Sequence, residues 1–189
     1  PEAVGVFNYA FRYSTTNGTS FTSKLITVAD APTGAFGLGI AFGAGNTFWG
    51  KATSQNLRQV FFDLATASGT TVRNYPDPAI PASVAPIGVS TALNLLAGIN
   101  VGLANNHLRL YDLASTLTNG TPGLIATNAF PTDNDNSGSG TGAVDFGPST
   151  VYALCANNGL LALRIVPVAQ AAHFDSIGLL TDGSVRLFM

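Results

Sequence analysis

Charge is what this chain most lacks. Only 10% of its 189 residues are Asp, Glu, Lys or Arg, where soluble domains average ~25%. Glu2 is the only glutamate, and Lys24 and Lys51 are the only lysines. Surface helices draw heavily on those two residue types, so their shortage argues for short strands and many turns instead. A net charge of −2 offers no basic face, which argues against nucleic acid or an anionic membrane surface as a partner. Cysteine is almost missing as well. Cys155 stands alone, so an intramolecular disulfide is excluded. Its setting, VYALCA, is an apolar strand pattern, where a core thiol is expected rather than a nucleophile. No run reaches the ~18 apolar residues of a membrane-spanning helix. The nearest, LNLLAGINVGLA from Leu93, is broken by two Asn and two Gly.

What the chain has is glycine, at 21 residues, and a repeat. Three windows begin at Gly39, Gly88 and Gly142: GIAFGAGNTFWGKATSQNLRQVFFDLAT, GVSTALNLLAGINVGLANNHLRLYDLAS and GAVDFGPSTVYALCANNGLLALRIVPVA. Laid over one another without gaps, they place FFDLAT around Asp63 on LYDLAS around Asp112, and TFWG at Thr47 on TVYA at Thr150. Each window reads as short apolar strands separated by polar tips and Asn- or Gly-bearing turns, followed by a more polar stretch ending at proline. Four strands in roughly fifty residues suit a blade of a β-propeller. The expected fold is therefore all-β, a β-propeller-like repeat of four-stranded blades that forms a partial ring, with a β-sandwich as runner-up. The expected divisions are a partial blade at 1–31, blades at 32–80, 81–131 and 132–172, and a hairpin at 173–189 around Asp182-Gly183. That hairpin either closes the ring or opens a following domain. The chain opens at Pro1 in mid-repeat, which suggests a piece of a longer or processed chain whose other domains would be its neighbours.

The stretches LGIAFGAGNTFWGK, VFFDLAT and NSGSGTGAVDFGPSTVYALCANNGLLAL resemble repeats of long, secreted, functionally uncharacterised bacterial proteins. Those domains look propeller-like. The tail FDSIGLLTDGSVRLFM is similar to the opening of a sandwich-type domain that often follows them. The resemblance implies a secreted or cell-surface location and brings no catalytic residues with it. Its weakest part is the middle window, GVSTALNLLAGIN.

One stretch carries a ligand pattern. In PTDNDNSGSGTGAVD, Asp133, Asp135 and Ser137 stand at the first ligand positions of a calcium loop, with Gly138 as turn glycine and the Ser139 carbonyl next. The closing carboxylate is displaced, because Val144 fills the twelfth position and Asp145 follows one residue late. A solvated connector ordered by Asx turns is therefore the first reading of this stretch, with calcium as the one cofactor the alternative would bring. His107 and Arg109, in HLRLYDL, and Trp49, in TFWGK, are the candidate ligand contacts, with Trp49 as an exposed stacking platform for a carbohydrate or protein ligand. His173 lies beside Asp175, but zinc spacing is absent. No GxSxG elbow supports a serine hydrolase. Asp63 and Asp112 are repeat-equivalent and read as strand-end turn formers. NGT at Asn17 and Asn119 fits glycan acceptors but reads first as tight turns. The leading expectation is a binding or scaffold module using loops on one face. A propeller enzyme of hydrolase or lyase type would require Asp145, His107 and Arg109 to converge on an axial pocket, and a structural spacer would show no polar cluster at all.

Overall fold

The structure, a computed structural model, describes residues 2–7, 9–14, 17–101, 106–118, 120–134, 142–166, 176–179 and 185–188. Apart from a 3-10 turn at Ala114–Thr118, the regular elements are all strands. The first three, β1 (Glu2–Phe7), β2 (Tyr9–Ser14) and β3 (Thr22–Val28), form an antiparallel meander. A second meander holds β4 (Gly39–Phe42), β5 (Thr47–Lys51), β6 (Leu57–Asp63) and β7 (Ser68–Tyr75). A short parallel pairing of Thr27 with Ser68 and Val28 with Gly69 ties β3 to β7, so that the first two sheets join in one seven-stranded order, β1-β2-β3-β7-β6-β5-β4. The third holds β8 (Val84–Ser90), β9 (Leu95–Asn100), β10 (His107–Asp112) and β11 (Gly123–Ala129). The fourth holds β12 (Gly142–Phe146), β13 (Thr150–Cys155) and β14 (Gly159–Arg164). Last come β15 (Ser176–Leu179) and β16 (Val185–Phe188), paired as a hairpin.

The sheets stack so that their first strands neighbour one another: β1 runs beside β4, β4 beside β8, and β8 beside β12. This is the packing of a β-propeller, and it explains the glycines of the innermost strands. A Cβ on Gly39 would come within 2.7 Å of the Ile87 nitrogen, and one on Gly88 within 2.6 Å of the Val144 carbonyl oxygen. Backbone meets backbone there, and only glycine leaves room.

Each pair of neighbouring sheets has its own apolar layer, where a sandwich would have one shared core. Ile26, Phe36, Phe48, Val60 and Phe62 fill the first layer. Trp49, Leu57 and Tyr75 meet Ile87, Leu96 and Tyr111 in the second. Ala97, Ile99 and Leu108 meet Val151, Ala153 and Cys155 in the third. Period-two alternation does the sorting: Phe48 and Trp49 are adjacent in β5 yet serve different layers. The same alternation puts Leu57 of β6 in the second layer and Val60 and Phe62 in the first, while a bulge at Gln59/Val60 shifts the register of β6 on β7.

The register corrects the gapless overlay of the three windows. Ile40-Ala41-Phe42 pairs with Phe48-Trp49-Gly50, Ile87-Gly88-Val89 with Leu96-Ala97-Gly98, and Val144-Asp145-Phe146 with Val151-Tyr152-Ala153. Ala41, Gly88 and Asp145 are therefore the spatial equivalents, rather than Gly39, Gly88 and Gly142. Turns of unequal length slide the first window by two residues and the third by three relative to the second. The Asp182-Gly183 turn lies outside the described residues.

Candidate functional site

Polar side chains gather at the end of the sheets where β10 begins and β11 ends. A buried asparagine stands immediately before the third strand of each later sheet: Asn106 before β10 and Asn158, in a turn, before β14. Thr132–Asn134, the segment leaving β11, is held between them. The Asn106 backbone N–H donates to Asp133 Oδ1 at 3.1 Å, and Asn106 Nδ2 donates to the Asn134 carbonyl at 2.9 Å. From the other side, Asn158 Oδ1 accepts the Asn134 N–H at 2.5 Å while its Nδ2 donates to the Asn134 carbonyl at 3.0 Å. Asn134 Nδ2 returns a bond to the Asn157 carbonyl at 2.8 Å. The two sheets are thus clasped at this end by side-chain amides that mimic a strand pairing.

Beside the clasp is a cleft of about 270 Å³ edged by Asn106, His107, Thr127, Thr132 and Asp133. His107 and Arg109 stand on one face of β10, and Arg109 Nε donates to His107 Nε2 at 3.0 Å. Accepting there requires His107 to carry no proton on Nε2. Two residues on, Tyr111 is buried in the second apolar layer with its hydroxyl unpartnered among the described residues. Burial pushes its phenol pKa up, and the nearby Arg109 opposes that.

The other expected site residues fall elsewhere. Trp49 is 3% exposed and stacks on Tyr75 with ring centroids 6.3 Å apart. The expectation of an exposed stacking platform is therefore corrected: this ring packs two sheets together and shows no face to solvent. Asp145 is exposed on β12, and its Oδ1 accepts the N–H of Phe146. It lies on the far side of the fourth sheet from the third apolar layer, so Asp145 does not share a pocket with His107 and Arg109. Asp135, Ser137, Gly138 and Ser139 lie outside the described residues, as do His173 and Asn119. Among the described residues no three His, Cys, Asp or Glu side chains gather for a metal. Asp63 and Asp112 close strand-end turns, accepting the N–H of Ala65 and of Ala114 at 2.8 Å each. Asn17 closes another, accepting from Thr19 and Ser20.

Lys51 is a buried charge that sequence reasoning missed. Its Nζ donates to the Gln55 carbonyl at 2.5 Å, across the turn after β5. Desolvation lowers its pKa to about 8, with the Asp77 carboxylate opposing and Arg58 assisting. Between pH 8 and its unfolded value near 10.5, the unfolded chain holds a proton that the folded chain has released, so stability rises with pH. We expect unfolding free energy to rise by roughly 1–2 kcal/mol from pH 8 to 10. Lys51→Met should flatten that slope in urea titrations. Tyr75 and Tyr111, whose burial raises their pKa values, work in the opposite direction above pH 10, which sets the upper end of the useful window.

No family model matches the chain, and no curated protein matches it. Among solved structures, it is similar to the crystal structure of a protein from Lactobacillus plantarum. The identity is 13%, the match covers 98% of this chain and 78% of that one, and the TM-score is 0.45.

Proposed function

We propose that this chain is a binding or scaffold module of a larger secreted or cell-surface bacterial protein, and that the cleft at the head of β10 takes a carbohydrate. One observation carries the reading: amide, hydroxyl, imidazole and carboxylate groups converge on a cleft whose wall is fixed by buried asparagines. Polar groups held rigidly suit sugar hydroxyls, because little ordering entropy is lost on binding. The test is a soluble-glycan array followed by calorimetry on any ligand retained. His107→Ala should weaken binding at least ~10-fold, the scale of one or two lost hydrogen bonds. Retention unaffected by His107→Ala, or no retention at all, would sink this reading.

Calcium belongs to the same proposal, at the loop beginning with Asp133. Asp133 Oδ1 already accepts the Asn106 N–H, a bond that a metal-bound carboxylate can keep while its other oxygen takes the cation. Without a glutamate at the closing position, the expected Kd is on the order of 10⁻⁴–10⁻³ M. Millimolar calcium should then raise the melting midpoint by about 2–5 °C over EDTA. Asp135→Ala is the variant to compare, because Asp133→Ala also breaks the bond to Asn106. No shift would make the stretch a connector.

A further inference from the structure

The first three sheets in this chain are each covered on one side by the strands that come next in sequence. The covering sheet presents a recurring apolar set backwards: Ile40, Phe42 and Phe48 in the second, Ile87, Val89 and Leu96 in the third, Val144, Phe146 and Val151 in the fourth. The fourth sheet's forward face breaks the pattern. Tyr152, Leu154 and Leu160 are 46%, 46% and 60% exposed, whereas their equivalents Trp49, Lys51 and Leu57, and Ala97, Ile99 and Leu108, are all buried. Large apolar groups at positions that are dry in two neighbouring sheets form a face shaped to be covered.

The next strands in sequence carry the matching set. In the terminal hairpin, Ile177-Gly178-Leu179 pairs with Val185-Arg186-Leu187, the register in which Ile87-Gly88-Val89 pairs with Leu96-Ala97-Gly98. We infer that β15 and β16 are two strands of a further sheet, and that this hairpin seats on the face of Tyr152, Leu154 and Leu160. The connector between Arg164 and Ser176 reaches up to ~36 Å extended, several times the ~10 Å between packed sheets.

The test uses the full chain. Trypsin cleavage after Arg186 releases Leu187–Met189, which mass spectrometry counts. Seating protects that bond, so Leu160→Asp should speed its cleavage by roughly tenfold, since cleavage follows the population of the open form. Leu187→Asp, made in the hairpin instead, should speed nitration of Tyr152 with the melting midpoint otherwise kept, which covers the case where the sheet variant misfolds. Two results would overturn the inference. One is a cleavage rate unchanged by Leu160→Asp together with Tyr152 nitration unchanged by Leu187→Asp. The other is protection that appears only at high protein concentration alongside a dimer in sedimentation, which would make a second copy the cover.

Discussion

Replacing Gly88 with valine should cost about 3 kcal/mol of unfolding free energy, at the upper end of overpacking penalties. For a chain of this size, that lowers the melting midpoint by roughly 6–12 °C. The cause is specific. A Cβ at Gly88 would sit 2.6 Å from the Val144 carbonyl oxygen and 3.0 Å from its carbon. Those are backbone atoms in the first strand of the next sheet, so no rotamer change relieves the clash. Either β8 and β12 part, opening the layer of Ala97, Ile99, Val151 and Ala153, or β8 bends out of register with β9. The control is Gly123→Ala, at a strand glycine where an added Cβ meets nothing within 4 Å; it should change stability by less than ~0.5 kcal/mol. Equal melts for Gly88→Val and Gly123→Ala would mean that the first strands do not touch, and the propeller-like stacking would lose its main support.

The same glycines show how far the sequence could be read. Strands and turns were legible because local chemistry announces them: β-branched and aromatic runs, Asn and Gly tips, prolines at the ends. The all-β, propeller-like stacking of strand units was legible too, from the recurrence of those strands. Exact equivalence was not, because tips differ in length and one residue of slip exchanges the two faces of a strand. Trp49 illustrates the cost. Its place before a polar tip suggested exposure, yet alternation turns it toward Tyr75 and the next sheet. Within the site, His107, Arg109 and Asp133 were each singled out from the sequence, but the asparagines that hold the cleft wall were passed over. A signal for them did exist. Ala104-Asn105-Asn106 and Ala156-Asn157-Asn158 repeat the same Ala-Asn-Asn triplet before a third strand. Reading those asparagines only as turn formers left out their side chains, whose partners lie some 25 residues away and cannot be inferred from local spacing.

Asn158→Ala should therefore be nearly as damaging as Gly88→Val, for the opposite reason: it removes contacts. Asn158 is 1% exposed and spends its amide on the Asn134 N–H, the Asn134 carbonyl and the Cys155 sulfur. Truncation leaves the Asn134 N–H without its acceptor, while the Asn134 carbonyl keeps only the bond from Asn106 Nδ2, a loss of about 2–3 kcal/mol for a fully buried amide with several partners. Asn134→Ala removes side-chain bonds at an exposed position and should cost only ~1 kcal/mol. Asn158→Asp separates the two halves of the amide. It keeps an acceptor for the Asn134 N–H but turns the second atom, which faces the Asn134 carbonyl, from a donor into a charged oxygen. Burial and that carbonyl would raise the pKa of the introduced carboxyl, so this variant should lose stability as pH rises above about 4, the unfolded carboxyl's value, and recover it in acid. Amide exchange supplies the local readout: Asn134 and Asn106 should exchange faster in Asn158→Ala while the core of β9 keeps its protection. Because Thr132 and Asp133 belong to the freed segment and to the cleft wall, ligand affinity should fall with the clasp. Wild-type melting and exchange in Asn158→Ala would instead show that the segment after β11 stands without it, and the cleft would lose the rigidity on which the binding proposal depends.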